Sequence, residues 1–295
     1  MKALALITLF LATSAAAQAP HPLNGRIWDT RSRSFVSKTA VYDEAAASRY
    51  VLLGEKHDSA IHHRLQLETL QALDQRGRKP TLAMEQFDHQ HQPALAAAQA
   101  AGVTDAEQLA DAGKLNRKAW GWPMYKDLIT FAAERGWPLA AANLSRADAR
   151  EIAMGKIVPA LPPAAPTQIA AMEEDIVQGH CGHRPPQERL SAIVTAQRAR
   201  DARMAATLDS ADTPVVLITG AGHVRRDHAV PRYLQDNGKT LTIAYVETSE
   251  GKAAPQDYGA VDIDLLWFTA RTERSDPCSK PIGGALGAAE ITDRR

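Results

Sequence analysis

Cysteine is nearly absent. Cys181 and Cys278 are the only two in 295 residues, which limits the chain to one disulfide or two free thiols. Charge of one sign is also missing. With 34 Lys and Arg against 34 Asp and Glu, nothing favours nucleic acid or an anionic membrane as a partner through bulk electrostatics. Beyond the N-terminus no apolar run is long enough to cross a bilayer. No Gly-x-Ser-x-Gly elbow appears, which argues against an ordinary serine hydrolase. Gly220-Ala221-Gly222 is an incomplete dinucleotide pattern, so nucleotide binding is disfavoured. His180-Cys181-Gly182-His183 has a metal-like composition. It is the only such cluster, whereas a structural zinc site draws four ligands from two, so it reads as a loop carrying half a disulfide.

The N-terminus reads as an export signal. Lys2 precedes a short apolar stretch, Leu4 to Leu11, and then small residues to Ala19. Cleavage falls between residues 17 and 19, better after Ala17, because a cut after Ala19 would leave Pro20 next to it. No cysteine lies near the cut, so a lipid anchor is not expected and the mature protein should be periplasmic. The expected organisation is a signal segment at 1–19, one α/β domain at 20–272 with helical insertions near 86–118 and 157–209, and a polar, mobile tail at 273–295.

Two segments share one grammar, an apolar strand followed by Gly-x-x-His. Tyr50-Val51-Leu52-Leu53 runs into Gly54-Glu55-Lys56-His57, and Val215-Val216-Leu217-Ile218-Thr219 runs into Gly220-Ala221-Gly222-His223. Short apolar, β-branched runs suit buried parallel strands, and open α/β sheets bind ligands beyond the carboxyl ends of such strands. Alone, either motif is a common structural turn. The repetition, with Glu55 inside the first copy, favours a site.

The remaining pattern supplies the frame. Residues 25–37 predict a hairpin, and His63 to Gln75 a helix with leucines at helical spacing. Thr81 to Met84 predicts a strand with Glu85 at its end. A helix from Tyr125 to Arg135, a strand from Pro138 to Leu144 and a helix from Arg146 to Lys156 follow. After a proline-rich linker come helices at 168–178 and 187–208, a short helix from about Pro231 to Gln235, and strands at 241–246 and 261–268. The fold class is therefore α/β, a parallel-rich central sheet flanked by helices with a smaller helical subdomain.

Three strand ends bring together Glu55, His57, Glu85 and His223. Such a set can activate water as the catalytic group of a hydrolase. Alternatively, His57, Glu85 and His223 could hold a divalent metal. His62 and His63 read as a solvated helix start, and the Asp88-His89-Gln90-His91-Gln92 run as exposed. Trp120, Trp122 and Tyr125 either line an apolar pocket or pack between helices.

Together these pieces resemble the ChaN-like haem-binding proteins of the Tiki/TraB/erythromycin-esterase superfamily. The resemblance spans roughly Val51 to Leu234. It rests on Gly54-Glu55-Lys56-His57-Asp58, Ala83-Met84-Glu85-Gln86-Phe87 with Gln90, and Trp122-Pro123-Met124-Tyr125. It continues through Ala142-Asn143-Leu144-Ser145-Arg146, Asp201 to Ala205 and Gly220-Ala221-Gly222-His223-Val224-Arg225. It implies haem binding in iron uptake without catalysis, haem held between two protomers, and haem delivered by an outer-membrane receptor. It implies Tyr125 as an iron ligand, with His57, His223 and Trp122 around the haem. The wider superfamily implies the alternative, a hydrolase using Glu55, His57, Glu85 and His223.

Overall fold

The computed structural model describes residues 21–259, 262–275 and 278. The expected signal segment, Val261 and nearly all of the expected tail after Ser275 lie outside the described residues.

Eight strands form one sheet in the order β2-β1-β8-β7-β3-β6-β4-β5. They are β1 Ile27–Asp29, β2 Ser34–Val36, β3 Tyr50–Glu55, β4 Thr81–Asp88, β5 Leu139–Asn143, β6 Val215–Gly220, β7 Thr240–Glu247 and β8 Leu265–Thr269. The last six are parallel to one another, and the β1–β2 hairpin adds one antiparallel edge. The helices are α1 Lys38–Ala47, α2 Ala60–Gln75, α3 Gln92–Ala100, α4 Ala106–Ala112, α5 Lys126–Glu134, α6 Arg146–Ala153, α7 Pro166–Gly179 and α8 Gln187–Asp209. None of the described helices is long and apolar enough to cross a membrane.

The two apolar strands of the repeated motif lie side by side at the centre of the sheet. β3 pairs with β6 from Tyr50–Val215 to Glu55–Gly220. Both are buried on both faces, which is why they read as continuous apolar runs rather than alternating ones. Strand alternation then sends Val51 and Leu53, with Leu82, Met84 and Ile218, into the layer of α2 and α5. Leu52, Ala83 and Leu217 go the other way, against Met204, Ala205 and Leu208 of α8.

Some boundaries differ from expectation. β4 continues past Met84 to Asp88, with a register shift against β5 between those residues. α2 begins three residues early, at Ala60, and His62 and His63 are buried rather than solvated. Residues 231–235 form only a single 3-10 turn at Val230–Arg232. Cys181 and Cys278 form a disulfide, with Cα atoms 5.5 Å apart.

Gly54 is set by close approach. A Cβ there would come within 2.7 Å of Val224 Cγ2 and 2.9 Å of the Ala221 backbone. Gly54→Ala must displace the turn that follows β6, so it is expected to cost about 1–3 kcal/mol. Urea denaturation reads this; an unchanged midpoint would mean that the turn yields freely.

Candidate functional site

The carboxyl edge of the sheet carries two carboxylates on opposite faces. Glu55 follows the parity of Leu53 and enters the α2–α5 layer, whereas Glu85 follows Ala83 and enters the α8 layer. Between them stands the end of β6 at Gly220. The His57 ring folds over this glycine, and a Cβ there would lie 3.1 Å from His57 Nε2 and 3.8 Å from His223 Cδ2. The absent side chain lets the two imidazoles approach one another across the sheet edge.

Glu55 is fully enclosed. Its Oε1 accepts hydrogen bonds from the Tyr125 hydroxyl at 2.5 Å, His57 Nδ1 at 2.9 Å and Gln86 Nε2 at 3.3 Å. Oε2 faces His63 Nδ1 at 3.4 Å, while His63 Nε2 donates to the His57 carbonyl at 3.0 Å. Burial opposes ionisation of Glu55, but the charge of His63 and the hydrogen bond and charge of His57 outweigh it. The carboxyl is held below its ordinary range. Burial likewise disfavours the charged form of His57, but Glu55 and Glu85 dominate and raise its pKa to about 8.

On the other face Glu85 Oε2 accepts from Thr219 Oγ1 at 2.6 Å and from the Gly220 amide at 2.9 Å. Its Oε1 lies 3.6 Å from His223 Nε2. Against the cost of burial, His223, His57 and these donors bring the Glu85 pKa down to about 2. His223 Nδ1 donates to buried Asp201 at 2.6 Å. Burial pushes the Asp201 carboxyl up, opposed by His223. Asn143, at the end of β5, donates to the Glu85 carbonyl at 2.9 Å and accepts from Arg200 at 2.8 Å, which braces this wall.

Glu55, His57, Glu85 and His223 thus meet as the strand-end pattern anticipates. Tyr125 joins them, but as a buried donor: it is 0 % exposed and its hydroxyl is committed to Glu55. Burial and the charge of Glu55 push its pKa well above the ordinary value. The expected role of Tyr125 as an iron ligand does not fit this enclosure. Trp122 turns away from the crevice, its Nε1 donating to Glu107 at 3.0 Å. Trp120 is the indole at the site, edge-on to His57 at 5.0 Å between ring centres. His62 takes no part. Its Nδ1 accepts from the Lys56 amide and its Nε2 meets Thr269 Oγ1, and burial lowers its pKa to about 4.

The metal reading of His57, Glu85 and His223 finds no support in the structure. Among the described residues no three His, Cys, Asp or Glu side chains stand where they could share a metal ion. His57 is drawn to Glu55 on one face, while His223 is drawn to Asp201 on the other, and Glu85 Oε2 is saturated by its two donors.

Fold and site define an α/β protein with a carboxylate–imidazole crevice at the carboxyl edge of a mostly parallel sheet. Residues 41–234 match the family described as haem-binding uptake, Tiki superfamily, ChaN. The chain belongs to that family. Among solved structures it is similar to a ChaN of Campylobacter jejuni, described with cofacial haem binding. Identity is 23%, the TM-score 0.71, and the match covers 82% of this chain and 95% of that one. A mutant erythromycin esterase EreC in its open conformation shares 13% identity at a TM-score of 0.40, over 81% of this chain and 80% of that one. The effector domain RRSP of a Vibrio vulnificus toxin shares 16% at 0.40, over 82% and 41%. No curated protein matches the chain.

Proposed function

We propose that this protein binds haem at the mouth of the carboxyl-edge crevice, with His57 as the iron ligand, and serves iron uptake in the periplasm. Membership of the ChaN family supports the ligand. The observation that carries the site is the state of His57. Its Nδ1 is held by Glu55 at 2.9 Å, and its Nε2 has no hydrogen-bond partner among the described residues. A carboxylate on one nitrogen fixes the tautomer and leaves the other nitrogen's lone pair for a metal. The side chain is 22% exposed, and Trp120 stands beside it as an apolar wall. An outer-membrane receptor and a second copy of the chain are the partners that this role calls for.

Titration with haemin tests the reading. A saturable, shifted Soret band is expected for the wild type, and His57→Ala should weaken binding by at least about tenfold. Free-haemin spectra without saturation would dismiss the proposal. Because ligation must displace a proton from a group whose pKa is about 8, apparent affinity should rise up to about tenfold per pH unit below that value and level off above it. A flat profile between pH 6 and 8 would remove His57 as the ligand.

A second reading, hydrolysis, is favoured by one observation. His223 is oriented by buried Asp201 at 2.6 Å, the arrangement of a general base. Ester turnover without haem that disappears in His223→Ala, with haemin binding retained, would establish it as a separate activity.

A further inference from the structure

α7 is fastened to the body of the protein differently from the other long helices. Its apolar side, Met172, Ile176 and Val177, packs on Leu190, Ile193 and Val194 of α8, a cluster separate from the two that line the sheet. Among the described residues its further attachments include polar contacts and a covalent one. Gln168 Nε2 donates to the Asp227 carbonyl at 2.8 Å. Asp175 accepts from Arg225 at 3.2 and 3.3 Å and lies 3.2 Å from His228 Nε2.

Just past the end of α7, exposed Cys181 is bonded to exposed Cys278. Four residues before Cys278, Arg274 pairs with Asp58 at 2.7 Å and with Glu247 at 2.5 Å. Asp58 adjoins His57. Four residues of chain reach at most about 14 Å, so the disulfide draws the tip of α7 toward the His57 side of the crevice. The middle of the helix lies against the opposite side. There Met172, Asp175 and Ile176 roof Asp201, His223 and His228 and leave a cavity of about 10 Å³. That is space for a single water.

We infer that α7 is a lid over His223, latched at its tip by the Cys181–Cys278 disulfide and at its middle by Asp175. Closed, it keeps anything larger than water from the Asp201–His223 pair. A dithiol reductant opens the tip latch by giving two electrons and two protons to the S–S bond, which leaves two cysteine thiols and the reductant's own disulfide. The helix is then held by polar clamps and by one small apolar cluster. Elements with so few apolar attachments are those that open locally while the core stays folded.

Imidazole acylation of the full chain by diethyl pyrocarbonate, read residue by residue by mass spectrometry, tests this without any haem. Reduction should raise the rates at His223 and His228 together by about tenfold, with the fully buried His62 unchanged as the internal control. The double variant C181S/C278S should show the raised rates without reductant. If that variant does not fold, reduced wild-type protein supplies the same comparison. Equal rates at His223 before and after reduction would overturn the lid, and so would a rise shared by His62, which marks general loosening.

Discussion

Replacing Glu55 with alanine is expected to cost about 3–5 kcal/mol of folding stability, the range for removing one partner from a buried charged cluster. The side chain is 0% exposed and gathers three donors on one oxygen. Without it the Tyr125 hydroxyl, His57 Nδ1 and the Gln86 amide lose their acceptor in an enclosed space, where each unmade bond costs about 1–3 kcal/mol. A fall of roughly 10 °C in Tm corresponds to that loss in a domain of this size. Glu55→Gln keeps the volume and one acceptor oxygen, so its loss should be clearly smaller. A double-mutant cycle with Tyr125→Phe isolates the pair, because removing the hydroxyl first leaves less to lose. A cost under about 1 kcal/mol for Glu55→Ala would mean that water replaces the carboxylate and that the cluster is open.

How much of this arrangement is legible in the sequence depends on which signal carries each residue. β3 and β6 are marked by apolar runs that reach a glycine, Glu55 closes β3, and Glu85 follows the apolar run of β4. Strand alternation puts the two carboxylates on opposite faces. What strand spacing does not show is which acceptor each imidazole takes, Glu55 for His57 and Asp201 for His223. Asp201 is a charged residue on the apolar stripe that includes Met204, Ala205 and Leu208. That misfit is visible in the sequence, although its partner His223 is 22 residues away and is fixed only by packing. His62 and His63 look like a polar helix start because their burial comes from the tertiary contacts of α2 with Thr269, the His57 carbonyl and Glu55. Trp120 and Trp122 lie two residues apart in a loop without periodicity. Nothing local tells which one faces His57, and the contact of Trp122 with Glu107 of α4 decides it.

Acid stability should be limited by Glu85. Its folded pKa is about 2 against an ordinary 4.5, and its side chain is 6% exposed, so little solvent screening reduces the effect. A depressed carboxylate contributes stability that is fully present above its unfolded value and is lost as pH falls through the folded one. The window therefore runs from about 4.5 down to about 2, and the contribution is roughly 3 kcal/mol. Glu55 adds in the same direction. On the alkaline side His57 behaves oppositely. Its pKa is raised to about 8, so its contribution is present below 6.5 and is lost as pH climbs through 8. The two limbs place the stability plateau between about pH 4.5 and 6.5. Thermal unfolding of wild type and Glu85→Gln from pH 6 to 2 checks this: the variant should start lower and show a flatter acid limb, with the two curves converging toward pH 2. Parallel limbs would mean that Glu85 is not the carboxylate that protonates as the protein unfolds. The acid transition would then belong to other carboxylates that ion pairs hold low against the cost of burial: Glu247, whose Arg274 hydrogen bonds bring its pKa to about 2, and Asp227, lowered by His228 and Arg225.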